Sequence, residues 1–400
     1  MRTDNRLWNL SGLILHNRCR RAGRYLQAVI CTAVLLCLYG CAHGSDRHEH
    51  SEADTASVTE TEEKSDFTSE AWAWADSVTC AMSVSQRAGQ CLMPSVYAVS
   101  DRPTMLRLRN YVTDCHIGGI LLLRGDSSGA TAIADSLRQW GRGVPPWIAI
   151  DAEWGLGMRL ADEQVYPRNF RLAKVADEEM MFDYGYEIGE RCREIGINMV
   201  LGPVVDVGPI TGVMGTRSFG PDPQVAASLG VAYAMGVEGA GVMSVAKHFP
   251  GHGSPEADSH NRVAVVKRDS ADLHHIDLVP FNEYVAHGLS GVMAGYLSVP
   301  ALDPSGRPAA VSPAVLKDLL RDEMMFRGLI LTDAINMGGA RGYSAADALA
   351  AGADLVVAPA DTKQALAEIE QALDEGTLTE AALSERCRRV LFYKYLFAGK

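Results

Sequence analysis

The chain has 400 residues, 47% of them apolar and 22% charged, with a formal net charge of −12. That composition is ordinary for a folded globular protein, and the acidic balance excludes a nucleic-acid partner, which needs a basic face. The length admits two or three average domains, or one α/β barrel of about 250 residues or more.

Arg18, Arg20, Arg21 and Arg24 lead into an apolar run from Tyr25 to Tyr39. The run is short for a bilayer span and carries the charged flank of a targeting segment. Its end, Leu38-Tyr39-Gly40-Cys41, resembles a bacterial lipoprotein cleavage box, which implies lipidation of Cys41. Residues 1–40 are therefore expected to be a signal segment. The rest is expected outside the cytoplasm, lipid-anchored to a bacterial membrane in the periplasm or at the cell surface. An uncleaved anchor helix is the alternative. Residues 41–70 follow as an acidic stretch, with Glu49, Glu52, Asp54, Glu60, Glu62 and Glu63 against Arg47 and Lys64. Such a segment buries too little apolar surface to offset its ordering entropy and predicts a disordered tether, with a reach of roughly 30 Å. Beyond it, Cys80, Cys91, Cys115, Cys192 and Cys387 show no metal-like spacing. Cys80 and Cys91 are expected to be small core residues, and Trp72 and Trp74 to pack rather than to bind sugar.

Residues 71–400 are expected to form a single catalytic domain, in which short apolar runs alternate with helical stretches. The strand candidates are Cys91–Tyr97, Gly119–Leu123, Trp147–Asp151, Met199–Val205, Val242–His248, Gly291–Tyr296, Leu329–Asp333 and Asp354–Ala358. They show little polar alternation, as parallel strands buried on both faces do. Asp177–Ile195 reads as a helix ended by Gly196. Pro313–Phe326 reads as another, with Ser312 as its cap and Pro313 in its first turn. This alternation predicts an α/β fold of the closed (β/α)8 TIM type. Polar residues then stand at strand ends, where such barrels hold their active sites: Asp151, Asp206, Lys247-His248 and Asp333.

The densest chemistry lies at Lys247-His248-Phe249-Pro250-Gly251-His252-Gly253, followed by Asp258-Ser259-His260. In an extended segment, side chains two apart share a side. Asp258 can therefore bond one ring nitrogen of His260, set its tautomer and raise its basicity. His248, His252, Asp258 and His260 together raise a zinc reading, which Lys247 opposes by its charge. No metal and no cofactor are expected. The pair Gly155-x-Gly157 lacks the third glycine of a nucleotide loop.

These residues resemble glycoside hydrolase family 3, in its β-N-acetylglucosaminidase branch. Met82-Ser83, Gly89-Gln90 and Thr332-Asp333-Ala334 continue the match in order, over roughly residues 71–397. The resemblance implies Asp333 as nucleophile, His260 as acid/base and Asp258 as its partner. It implies Asp151, Arg159, Arg217, Lys247 and His248 as sugar ligands; Glu153, beside Asp151, reads as a supporting partner and not as a catalytic group. Asp333-Ala334-Ile335 stands where the family usually has two acidic residues and a leucine. The implied activity is retaining removal of terminal N-acetylglucosamine from peptidoglycan fragments or chitin-type oligosaccharides, through a covalent glycosyl-enzyme intermediate. The alternatives are a β-glucosidase or xylosidase of the same family, or an inactive glycan-binding lipoprotein. The glucosidase relatives commonly place the acid/base on a further domain, and none is expected beyond Lys400. The sequence assigns no oligomeric state.

Overall fold

The computed structural model describes residues 68–141, 143–211, 214–253 and 263–398, all within one unit, Ser65–Lys400. The expected signal segment, Cys41 and residues 41–67 of the tether lie outside the described residues. Residues 68–70 were expected in the tether but are already helical. Glu70 accepts a hydrogen bond from the Tyr395 hydroxyl at 3.1 Å.

Each apolar run expected as a strand carries strand residues: Cys91–Tyr97 is split in two, two others extend past their runs to Gly125 and Phe249, and the rest are shorter. The strands are β1 (Leu92–Met93), β2 (Ser95–Ala98), β3 (Gly119–Gly125), β4 (Trp147–Ile150), β5 (Met199–Val200), β6 (Met243–Phe249), β7 (Ala264–Val265), β8 (Gly291–Ala294), β9 (Leu297–Ser298), β10 (Leu329–Thr332) and β11 (Val356–Val357). A seven-stranded parallel sheet runs in the order β10-β8-β6-β5-β4-β3-β2, while β1 pairs with β11 and β7 with β9. Helices intervene along the chain, so the class is α/β. Pro94 separates β1 from β2, and Pro203 stops β5 well before Val205, because proline lacks the N–H a ladder needs. Three further sets of backbone bonds flank the sheet. Thr332 N donates to Leu355 O (3.1 Å), Val356 N to Cys91 O (2.8 Å), and Gly118 N to Leu92 O (3.0 Å).

One buried cluster draws on β1, β3, β4, β5, β6, β8, β10 and β11, including Met93, Leu121, Trp147, Met199, Met243, Met293, Leu331 and Val357. Each such side chain contributes about 1.5–3 kcal/mol by leaving water. Outside them, the helices Glu178–Ile195 and Pro223–Gly239 meet backbone to backbone. A Cβ on Gly185 would lie 2.1 Å from Tyr233 O, and one on Gly236 would lie 2.1 Å from Phe182 O. The first of these helices starts at the side-chain cap Asp177 and stops at Gly196, whose φ of +92° suits glycine. The expected helix after Ser312 is a wide-turned π-type helix, Ala314–Glu323.

Cys91 is buried, but Cys80 is exposed, which corrects the expectation for it. No single helix carries both: residues 68–81 form one, and Ser83 caps another, Val84–Gln90. The first described helix lies along the last, Glu380–Phe397. Trp72 stacks on Phe392 with ring centres 3.9 Å apart, and Trp74 meets Tyr395. Arg388 lies over Trp72 and pairs with Asp76.

Candidate active site

The chain leaves β4 at Asp151, and its next residues turn back sharply. Gly155 has φ +86°, and a Cβ there would lie 2.4 Å from the Tyr166 ring, so glycine is required. This turn sets Asp151, Glu153 and Arg159 together. Lys247 Nζ, at the far end of β6, donates to Asp151 Oδ1 at 2.7 Å and lies 3.0 Å from Glu153 Oε1. Arg159 donates to Asp151 Oδ2. Arg217 reaches Glu153 through two parallel bonds, Nε to Oε2 at 2.9 Å and Nη2 to Oε1 at 2.8 Å. Such a fork fixes a guanidinium more firmly than one contact does.

Burial opposes ionisation of both carboxylates, yet the cations win. Lys247 and Arg159 hold Asp151 well below the usual range. Lys247 and Arg217 hold Glu153 at about 2. Burial also works against Lys247 and Arg217, and the same carboxylates raise both. At neutral pH the cluster is therefore fully charged. Arg159 Nε is buried and makes no hydrogen bond among the described residues, which leaves a donor for a ligand hydroxyl.

On β6, the register against β8 shifts between Lys247 and Phe249. A bulge of this kind re-aims side chains, and the consecutive Lys247 and His248 both join the cluster. Asp206, fully buried, binds His248 twice and His252 once. Its Oδ2 lies 2.8 Å from His248 Nδ1, and its Oδ1 accepts from His248 N (3.1 Å) and His252 N (2.6 Å). Burial raises the Asp206 pKa, but His248 and His252 outweigh it and hold it at about 2. An ionised Asp206 keeps the proton of a neutral His248 on Nδ1. Nε2 then faces Arg217 Nη2 at 3.5 Å. His252 lies beside it, with ring centres 5.9 Å apart. Burial lowers the pKa of His252 against the pull of Asp206.

Asp333 follows β10. Its N–H donates to Ala294 O at 2.8 Å, and its Oδ1 accepts from Ala334 N at 2.7 Å. One carboxylate oxygen is thus oriented and the side chain remains half-buried.

Residues 83–392 match the glycosyl hydrolase family 3 N-terminal domain. The chain belongs to glycosyl hydrolase family 3. A β-hexosaminidase of Nitrosomonas eutropha is 34% identical over 257 residues, 60% of this chain and 72% of that protein. The β-hexosaminidase LpqI of Mycobacterium tuberculosis is 38% identical over 217 residues, 52% of this chain and 55% of that one. The structure of a family 3 β-N-acetylglucosaminidase from Paenibacillus sp. str. FPU-7 superposes with a TM-score of 0.75 at 30% identity, covering 80% of this chain and 63% of that one. The chain thus spans between about half and three quarters of the length of these relatives.

In this family 3 chain, Asp151, Arg159, Arg217, Lys247 and His248 form one continuous row with Glu153 and Asp206. Asp333 stands at the same, carboxyl-terminal side of the strands. Asp258 and His260 lie outside the described residues. The sequence reading placed Asp206 at a strand end without a role and gave Glu153 only a supporting place. Their partners, Arg217 and His248, are distant in sequence, so no local spacing signals these pairs.

Proposed function

We propose that the chain is a retaining exo-β-N-acetylglucosaminidase. The observation that carries this is the row Arg159–Asp151–Lys247–Glu153–Arg217–His248, which presents fixed donors and acceptors beside the strand end of Asp333. Such a row suits the hydroxyls of one terminal sugar, each of which both donates and accepts. The names of the β-hexosaminidase relatives and of the Paenibacillus structure support the amino sugar.

In the reading we favour, an Asp333 oxygen forms a bond to the anomeric carbon as the bond to the leaving oxygen breaks. His260, protonated, gives its proton to that oxygen. Water then attacks the same carbon and passes a proton to His260, Asp333 departs, and configuration is retained. Asp258 orients His260 and favours its protonated form. Peptidoglycan fragments or chitin-type oligosaccharides are the proposed substrates, and Cys41 the proposed lipid site that holds the enzyme outside the cytoplasm. The strands make up a closed (β/α)8 barrel in this proposal. Its support is the bonding of Leu355 to β10, of β11 to β1 and of Leu92 to Gly118, with one core drawn from β1, β3, β4, β5, β6, β8, β10 and β11.

Turnover of nitrophenyl N-acetylglucosaminide, compared with the matching glucoside, tests the activity. Preference for the glucoside, or no turnover of either, overturns it. Loss of membrane partitioning in Cys41→Ser tests the anchor, and unchanged partitioning overturns it.

A further inference from the structure

A second carboxylate, unused above, lies against the turn that follows β6. Asp277 closes the helical stretch Leu273–Asp277 and is 1% exposed. Gly251, in the turn, has φ +131°, and a Cβ there would lie 2.6 Å from Asp277 Cβ and 2.8 Å from its Oδ1. The turn is therefore seated directly on the Asp277 side chain. It is the same turn whose N–H groups at His248 and His252 are held by Asp206. From the other direction comes Arg268, whose Nη1 lies 3.2 Å from Asp277 Oδ2. Arg268 follows β7, which is fixed to β9, with Val266 N donating to Ser298 O at 2.9 Å. Asp277 thus touches the chain just before residues 254–262 and pairs with the chain just after them.

The pair is unusual in its bonding. Among the described residues, neither Asp277 oxygen makes a hydrogen bond, and Arg268 Nη1 makes none either. Burial raises the Asp277 pKa to about 7; Arg268 pulls it down, while Asp206 and Asp272 push it further up. A buried charge with one loosely aligned partner is a poor source of stability. Its chemistry is better explained by what it touches on either side.

We propose that Asp277 is a positioning residue: with Arg268 it braces the two chain segments that flank the stretch carrying Asp258 and His260, and so sets the proton donor against the leaving oxygen. This rests on the acid/base reading of His260 given above. The brace acts on proton delivery, not on sugar binding, so it has a kinetic signature that a merely structural residue lacks. Activated aryl leaving groups depart without protonation, whereas a sugar alkoxide does not.

The test compares Asp277→Asn, Arg268→Gln and the double variant on nitrophenyl N-acetylglucosaminide and on a β-linked N-acetylglucosamine disaccharide. For the disaccharide, kcat/KM should fall about 10²-fold, as a misplacement near 1 Å produces, and for the aryl substrate only several-fold. The double variant should lose no more than either single one, because the two residues act as one unit. Gly251→Ala, which presses a methyl group on Asp277, should show the same split and serves if Asp277→Asn does not fold. Equal losses on both substrates, additive losses, or wild-type rates in the folded variants overturn the brace. His260→Ala separates the two readings. No leaving-group split in that variant means the acid/base assignment itself fails; a split there with none at Asp277, Arg268 or Gly251 means only the brace fails.

Discussion

At the amino-terminal ends of the strands, Asp354 is fully buried just ahead of β11 and accepts from Arg321 Nη2 (2.8 Å), from Ile330 N (2.8 Å) and from Arg389. Arg321 spends its other amino group on Phe326 O and Gly328 O, each at 2.8 Å. At the carboxyl-terminal ends, Asp151, Glu153 and Asp206 are also buried and paired. Here, however, the Arg159 and Arg217 side chains remain 25% and 21% exposed. Arg159 Nε has no hydrogen-bond partner among the described residues, and His248 Nε2 has only a distant one. Both ends bury ion pairs. The amino end uses up its principal hydrogen bonds on the protein and ties β10 to the last helix. The carboxyl end keeps some in reserve, and that reserve, more than buried charge, distinguishes a binding site from a structural brace.

The contrast breaks most sharply at Asp333. Asp333→Ala should lower turnover on the order of 10⁴-fold or more with little change in melting temperature. Near-normal turnover in a folded variant removes the nucleophile assignment. At the opposite end, Asp354→Asn should do the reverse. Leaving two buried guanidinium groups short of their counter-charge should destabilise by roughly 3 kcal/mol. Turnover per folded molecule should not change; denaturant melts with parallel kinetics read both, and a lower kcat would make the amino end part of the catalytic machinery. Asp206→Asn sits between these extremes. His248 loses the charge that fixes its tautomer, and kcat/KM should fall about 10²-fold. Unchanged kinetics would show that the His248 orientation needs only the β6 backbone.

The smallest effect is in pH dependence. Glu153 and Asp206, held near 2, contribute stability that is present above their ordinary carboxylate range and lost as pH falls toward 2. Asp277 has the opposite sign. Its folded pKa lies above the ordinary value, so it favours folding below about 4, and that contribution is lost as pH rises through about 7. Melting temperature in Asp277→Asn should therefore fall less than in the parent between pH 4 and pH 7. Parallel curves would place the ionisation elsewhere.

Much of this was legible in the chain. Polar residues closing long apolar runs, Asp151, Lys247-His248 and Asp333, announce strand ends that face a site, and the runs themselves locate the strands. Strand lengths were not legible, because they depend on where a proline withdraws a donor, as Pro203 does. The interlocking of the site was also hidden. Glu153 meets Arg217 across 64 residues and Asp206 meets His248 across 42, and no periodic pattern encodes such a meeting. Cys80 misled for a related reason: its apolar character suggested the core, whereas it lies near the end of a helix that presents it to solvent.

The stacking of Trp72 on Phe392, with Arg388 spanning Trp72 and Asp76, has a mechanical consequence. A pull arriving through the residues ahead of position 68 would load the contact between the first and last described helices in shear. Two antiparallel helices joined by a ring stack, an ion pair and the Glu70–Tyr395 bond share such a load across several contacts at once. Arg389, on the last helix, ties that helix to β10 through Asp354, so a tug on the leading segment would meet this buried ion pair before it reached the strand end of Asp333.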